Sequence, residues 1–313
     1  MRPLRVWAQL SQATRERGIL LLLGLAFSVL SLSLPVFGAV LALFQAAPAV
    51  ALFVRHGLLW AVLGLLLTTV PKAAVLSWGL CAESIALSFP PALFLGWAMR
   101  RQMQAQRAII GGLLVATVCA GLFAAMFFIF AGEFPFAVIL KTASEPYAPL
   151  SEAPFSNAQD FGDLLLTIVP TLLIVEAALS SFCSYLGAKR ILEYWQVHTQ
   201  DLPEFSTLHF PVGLLYLFGF SLVGLYWGTT RDIHWLYAIS LNGELLATLA
   251  GVLEGLSLLS YVAKQFGAGM RLRAFILVAV ILSGILLQFV AFTGLFDMYF
   301  DYRRRFQNWR HRG

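Results

Sequence analysis

Long apolar stretches separated by short polar segments run through almost the whole chain. A helix needs about 20 mostly apolar residues to cross the hydrocarbon core of a bilayer, which is about 30 Å thick. Nine segments meet this requirement. Two lie in 18–54, divided where Pro35 removes a helical hydrogen bond, and two lie in 56–99, with a break between Pro71 and Glu83. The other five are 108–132, 161–188, 210–228, 235–263 and 274–296.

The composition is typical of a protein whose solvent is the bilayer. Hydrophobic residues make up 59% of the 313 positions and charged residues 12%, whereas soluble domains average about 45–50% and about 25%. So little polar surface excludes the soluble enzyme folds, and it excludes nucleic acid as a partner despite the net charge of +5. We predict an all-α, polytopic bundle of transmembrane helices whose first partner is the lipid bilayer.

The sequence lacks the common catalytic and cofactor-binding signatures. We find no HExxH, GxSxG or P-loop motif and no GxGxxG that opens a helix. The three cysteines, Cys81, Cys119 and Cys183, lie in apolar runs without metal-binding spacing. We therefore expect no enzymatic activity, no cofactor and no metal site.

Polar segments divide the chain into five predicted regions. They are a basic amino tail (1–17), a six-span core (18–188) with an acidic external loop (133–160), an interfacial connection with a short helix (189–209), further membrane helices (210–300), and a basic aromatic tail (301–313). In the last region we predict an interfacial anchor that contacts anionic lipid, formed by Arg303, Arg304, Arg305 and Trp309.

The distribution of lysine and arginine predicts the topology. Basic residues concentrate in the connections that share a side with the amino terminus, so we expect that side to be cytoplasmic. If all nine segments crossed, the basic carboxyl tail would lie outside. We instead expect the eighth segment, weakened by Asn242 and Gly243, to dip into the membrane and return. This leaves eight crossings and both termini in the cytoplasm.

A series of short motifs in fixed order resembles a known family. The motifs are PAVALFVRHG (48–57), PALFLGWAMRR (91–101), LPEF (202–205), Asn242 followed by EGLS (254–257), and GLFDMYFDYR (294–303). Together they resemble the YybS-like family of uncharacterised bacterial inner-membrane proteins. The resemblance implies an inner-membrane location. It also implies that the core at 18–188 is similar to the S component of energy-coupling-factor transporters, a six-helix fold that a cell-shape scaffold protein shares.

Ionisable residues inside the apolar segments are the candidates for function, because each costs about 2.5–3.5 kcal/mol at mid-membrane. Glu176 lies in the middle of the sixth segment, with Ser180 and Ser184 on the same helix face. Lys72 and Glu83 flank the turn between the third and fourth segments. They mark either the wetted end of a hairpin or the mouth of a ligand pocket.

The eighth segment carries a stripe of small and polar residues at helical spacing. It contains Ser240, Glu244, Thr248, Gly251 and Gly255. We expect Gly251 and Gly255 to pack against a neighbouring helix, and Glu244 either to be satisfied in that contact or to line a polar cavity with Asn242. Glu254, on another face near the end of the segment, is expected to reach the interface.

Two functions from different classes follow from these features. The leading hypothesis is a protein that binds or transports a small solute or lipid-like ligand through Glu176, Asn242, Glu244, Lys72 and Glu83. The alternative is a non-transporting scaffold that assembles with a partner membrane protein.

Overall fold

The computed structural model describes residues 3–75, 78–131 and 158–305, and in these ranges it contains helices and no strand. The helices are α1 (Pro3–Ser33), α2 (Pro35–Phe44), α3 (Ala47–His56), α4 (Leu58–Val75), α5 (Trp78–Arg100), α6 (Ala105–Ala131), α7 (Ala158–Tyr194), α8 (Gly213–Thr230), α9 (His234–Gln265), α10 (Met270–Leu282) and α11 (Gly284–Phe300). A single 3₁₀ turn at Phe205–Thr207 precedes α8. The predicted all-α class is therefore confirmed for the described residues.

Both breaks predicted in the first hundred residues occur. Leu34 adopts an extended conformation between α1 and α2, with φ −114° and ψ 106°, as expected for a residue whose following proline disfavours the helical region. The second is shown by the hydrogen bond from Lys72 near the end of α4 to Ser84 near the start of α5, which requires the chain to turn between them.

Fewer helices than predicted satisfy the requirements of a membrane span. Among the described residues, five stretches are long and apolar enough, and a bent pair of helices would make a sixth. They are Gln12–Ser33, Phe37–His56, Ala105–Met126, Leu164–Tyr194 and His234–Gln265, with Met270–Leu282 and Gly284–Phe300 as the pair. The count of eight crossings stays a prediction.

The predicted break in the eighth segment is wrong. Helix α9 continues through Asn242 and Gly243 without interruption, because the Asn242 amide bonds its own helix and Gly243 packs against Ser221 of α8. The bend lies instead in the ninth segment, where α10 and α11 meet at Ser283 with an angle of 107°. A neighbouring serine and glycine, here Ser283 and Gly284, are among the usual causes of a sharp kink.

The separate interfacial helix predicted within 189–209 is also not formed. Helix α7 extends through the first part of this region to Tyr194, and an irregular segment with the 3₁₀ turn follows. Its apolar side chains explain the difference, because Leu192 is fully buried and Ile191 packs against the core. Most of the predicted acidic loop, 133–157, lies outside the described residues.

The helices form two compact units. The first contains Met1–Phe155 and Leu172–Leu202, and the second contains Ser156–Thr171 and Pro203–Gly313, so the division falls within α7.

A largely buried helix, α3, forms the centre of the first unit. Its residues from Ala47 to Phe53 are all buried, and glycines on three other helices bring their backbones close to it. A Cβ atom added to any of these glycines would lie less than 3 Å from a side chain of α3. The distances are 2.8 Å for Gly64 of α4 to Leu52, 2.6 Å for Gly96 of α5 to Phe53, and 2.7 Å for Gly187 of α7 to Ala47. Such approaches supply the packing that the hydrophobic effect cannot supply in lipid.

Helix α9 has the same central position in the second unit, between α8 and α11. Gly251 and Gly255 lie against the backbone of α11, where an added Cβ would be 2.7 Å from the Ala291 carbonyl oxygen and 2.0 Å from that of Val290. Gly294 of α11 faces both glycines in return. The two helices therefore cross in backbone contact.

We predict that Gly255→Ala destabilises the second unit. The new methyl group has no space beside Val290, and overpacking of this kind costs about 1–3 kcal/mol. The melting temperature in detergent should fall. Gly219→Ala in α8 is the matched control, since nothing lies within 4 Å of its Cβ position. Equal melting temperatures for the two variants would contradict the contact.

We also predict that the bent pair α10 and α11 enters and leaves the membrane on one side. Lys264 at the end of α9 pairs with Glu204, and Arg303 after α11 bonds the carbonyl oxygen of Ser206, so both helix ends meet the same short segment. Arg304 should then lie on the opposite side of the membrane from Asp232, which precedes α9. If an impermeant thiol reagent labels a cysteine at Asp232 in intact cells, it should not label a cysteine at Arg304.

The two positions form a matched pair for this test, because their side chains are 84% and 92% exposed. Both cysteines are introduced one at a time into a protein that lacks Cys81, Cys119 and Cys183. Labelling of both from the same side of intact cells would show that the bent pair crosses.

Candidate functional site: a cavity beside Glu176 and a buried ion network

A small cavity opens between α5, α6 and α7 in the first unit, with a volume of about 50 Å³. Its polar lining comes from Ser88, Glu176, Ser180 and Ser181, and its apolar lining includes Pro91 and Ala116. Glu176 itself is exposed. The carboxylate thus lies on a membrane-spanning helix at an open cavity, with serine hydroxyls nearby.

Two local features make this cavity polar. Pro91 has no N–H to donate to the carbonyl of Leu87, one turn earlier in α5, and Leu87 also lines the cavity. The Ser181 hydroxyl is buried and has no hydrogen-bond partner among the described residues. An unsatisfied buried hydroxyl costs about 1–3 kcal/mol, so this group favours any molecule that bonds it.

Lys72 belongs to the surroundings of this cavity. It lies near the end of α4, where its Nζ donates a 2.7 Å hydrogen bond to Ser84 Oγ of α5, one turn before Ser88 of the lining. Glu83 lies in α5, and its side chain is outside the described part of the structure. The structure therefore brings Lys72 and Glu176 together in one unit.

Asn242 has no bonding capacity left for a ligand. Its Nδ2 donates to the carbonyl oxygens of Thr167 (2.7 Å) and Ala238 (2.8 Å), and its Oδ1 accepts from the backbone N–H (3.0 Å) and the hydroxyl (2.7 Å) of Thr171. In a regular helix the N–H of Thr171 would bond the carbonyl of Thr167. The Asn242 amide thus bridges one turn of α7 and fixes it to α9.

Glu244 is half-buried in α9 and accepts a 2.9 Å hydrogen bond from Thr248 of the same helix. It belongs to the second unit and Glu176 to the first. The stripe that contains Glu244 serves two neighbours, because Ser240 packs against Gly224 of α8 and Gly251 packs against α11.

Glu254, which sequence analysis placed at the interface, has three bonding partners in the second unit. Glu254 is fully buried in α9. Its Oε1 lies 2.9 Å from Arg303 Nη2 and 2.8 Å from His209 Nδ1, and its Oε2 accepts a 2.8 Å hydrogen bond from the backbone N–H of Phe210. The expectation that Glu254 reaches the interface is wrong, because these partners surround it.

Arg303 was predicted as part of the lipid anchor, but its side chain is only 12% exposed. Besides Glu254, it contacts the buried carboxylate of Asp297, with Nε 3.3 Å from Oδ2, and donates to the Ser257 hydroxyl at 3.1 Å. Asp301 in a left-handed conformation ends α11 and turns the chain back, so Asp297 also accepts from the N–H of Tyr302. This turn carries Arg303 into the protein instead of the headgroups.

The other predicted anchor residues have different positions. Arg304 is 84% exposed and pairs with Asp301, and Arg305 is exposed with its guanidinium 5.6 Å from the ring centre of Phe300. Trp309 lies outside the described residues. An interfacial anchor therefore stays a prediction for Arg304, Arg305 and Trp309 alone.

The network has the donor types of a metal site but already contains its cation. Ligand atoms of His209, Glu254 and Asp297 lie within 4.8 Å of one another. The Arg303 guanidinium contacts both carboxylates, so a metal ion would have to displace it. We assign the cluster to structure rather than to metal binding.

The described helices define the class of this protein as an integral membrane protein built from apolar α-helices. The chain belongs to the family described as "Predicted membrane protein (DUF2232)", whose model matches residues 21–298. It is 25% identical over 319 residues to "Uncharacterized protein YybS" of Bacillus subtilis (strain 168), a match that covers 94% of this chain and 98% of the relative. No solved structure matches. The YybS-like resemblance is thus confirmed, whereas the S-component similarity stays a prediction.

We predict that Arg303→Ala strongly destabilises the protein. It leaves the buried Glu254 carboxylate without its cation, and breaking a buried pair from one side costs about 3–5 kcal/mol. The melting temperature should fall well below that of Arg304→Ala, which removes an exposed partner of Asp301. Adding Glu254→Gln to Arg303→Ala should restore part of the loss, because it removes one of the two buried carboxylates that lose their cation, leaving only Asp297. A double variant as unstable as the sum of the single variants would contradict the pairing.

Proposed function

We propose that this protein is a multi-pass membrane protein that binds a small solute at the cavity beside Glu176. The proposal rests on one observation: an exposed carboxylate and an unpartnered buried hydroxyl, Ser181, line the same cavity on a membrane-spanning helix. Ionisable residues at membrane depth mark substrate pathways more often than they mark inert positions. Residence in a bacterial inner membrane with a cytoplasmic amino terminus belongs to the same proposal, as does transport of the solute.

The volume of the cavity limits the solute. Sites for drug-sized molecules occupy about 300–1,000 Å³, and this cavity has about 50 Å³, so it holds only an ion or a molecule of a few atoms. Carboxylate, hydroxyl and carbonyl oxygens all accept hydrogen bonds or ligate hard cations. Because Glu176 is the one charged residue among the described residues that line the cavity, the best match is a solute with a single positive charge, such as ammonium or an alkali ion.

One observation favours the alternative of a non-transporting scaffold. The same small volume is far below that of ordinary small-molecule sites, and an exposed glutamate on an apolar helix can be satisfied by a polar group of a partner membrane protein. The two functions differ in whether a small cation stabilises the isolated protein.

Cation binding can be tested on the full chain in detergent through its melting temperature. A ligand that binds only the folded state raises stability by RT ln(1 + [L]/Kd). We expect a saturable rise with ammonium, sodium or potassium chloride and none with choline chloride at equal ionic strength. Glu176→Gln should raise the cation concentration that gives half of the maximal rise in melting temperature at least tenfold.

Two further variants sharpen this test. Ser181→Ala should raise the melting temperature without added cation, because it removes an unpaired hydroxyl, and should weaken the response to the cation. Glu244→Gln, on another membrane helix and outside the cavity, should leave the response unchanged. If no cation stabilises the wild type, or if Glu176→Gln responds as the wild type does, the binding proposal fails and the scaffold remains.

A further inference from the structure

The carboxyl ends of α3, α5 and α7 meet the middle of α1 at one end of the first unit, where cations are dense. Contacts between the elements fix this arrangement. Arg17 at α1 bonds His56 at the end of α3 (Nε to Nδ1, 3.3 Å), Arg55 lies 5.4 Å from the ring centre of Trp195 after α7, and Gln102 after α5 donates to the carbonyl oxygen of His198 (2.9 Å). We call this region the basic end. Its cations are Arg15, Arg17, Arg55, Arg100, Arg101, Arg107, Lys189 and Arg190.

The acidic groups of the basic end are already paired. Its three carboxylates belong to Glu16, Glu193 and Asp201. Glu16 pairs with Arg55, whereas Lys189 contacts both Glu193 and Asp201. The hydrogen bond from Lys189 holds the pKa of Asp201 below its usual value, so this acid stays ionised and bound to its own lysine. Glu193 also lies 3.5 Å from Arg190, so the acids cancel mainly the charges of Arg55, Lys189 and Arg190.

Of the remaining cations, Arg15, Arg100, Arg101 and Arg107 are exposed and Arg17 is half-buried. Arg100, Arg101 and Arg107 point into solvent and form no ion pair with any described residue. Arg101 and Arg17 lie over tryptophan rings, 4.8 Å from the centre of Trp97 and 4.5 Å from that of Trp60. Stacking of this type reduces the freedom of an arginine while leaving its N–H groups able to bond an anion.

Tryptophan at the end of a membrane helix is typical of the headgroup level of a bilayer. Trp97 at the end of α5 thus indicates that the exposed Arg101 stacked on it, and Arg100 beside it in sequence, lie at the level of lipid phosphates. We propose that the basic end of the first unit binds the headgroups of anionic phospholipids, with Arg100 and Arg101 as its principal contacts. This surface is separate from the cavity beside Glu176 and does not depend on the function proposed for it.

The test uses the full chain in mild detergent, with equimolar phosphatidylglycerol and phosphatidylcholine, and native mass spectrometry to count retained lipids. Each cation near an anionic surface contributes a factor of about five in affinity. We expect the wild type to retain more phosphatidylglycerol than phosphatidylcholine. In the double variant Arg100→Gln, Arg101→Gln the ratio of retained phosphatidylglycerol to phosphatidylcholine should be at least fivefold lower. The double variant Arg100→Lys, Arg101→Lys should retain most of the wild-type ratio.

Arg231→Gln is the matched control, because Arg231 also stacks on a tryptophan, 5.1 Å from the Trp227 ring centre, but lies in the second unit. It should keep the wild-type preference. Equal retention of the two lipids by the wild type, an unchanged preference in the double glutamine variant, or an equal loss in Arg231→Gln would each overturn the proposal. Since Arg100 and Arg101 are exposed, the variants should fold, which an unchanged melting temperature would verify.

Discussion

The burial of one carboxylate governs how the second unit is assembled. A charged group removed from solvent is tolerated only where partners replace the lost hydration. The partners of Glu254 come from distant parts of the chain: His209 and Phe210 before α8, and Arg303 after α11. These segments can bond the same carboxylate only in one arrangement, so the charge that makes the site costly also specifies where α8 begins and where α11 ends. The close approach of α9 and α11 at Gly255 and Gly294 allows Arg303 to reach it.

The parts of the fold that depend on local chemistry could be predicted from sequence. Pro35 acts on its own backbone and on the residue before it, so its effect does not depend on which helices surround it. The bend at Ser283 contains no proline, and serine and glycine occur in many straight helices, so nothing local distinguished it. Asn242 and Gly243 gave the opposite error. Their helix-breaking tendency is weak, and contacts with α7 and α8 exceed it.

The same distinction applies to the candidate sites. Glu176 was recognised because it lies far from both ends of its segment, and the structure places it beside serines from its own helix. Glu254 was assigned to the interface because it lies near a helix end, a rule that ignores what packs around that end. The sequence did contain a signal, because Asp297 and Arg303 lie in one short motif. An arginine that pairs with one carboxylate in the helix end can also pair with a second carboxylate, here Glu254. The partner helix of Gly251 could not be inferred, because a small-residue stripe does not identify what it contacts.

The enclosure of α3 has a consequence for how the protein is made. In the finished first unit this helix is covered on several sides, and one of its contacts, Ala47 with Gly187, comes from a helix synthesised much later. During synthesis α3 must therefore enter the membrane before its final neighbours exist. Its high apolar content allows this, because the stretch Phe37–His56 is hydrophobic enough to be stable in lipid by itself. The side chains of α3 therefore meet two requirements. They are apolar enough for the helix to insert into the membrane early, and they fit closely against the helices that surround α3 in the finished unit.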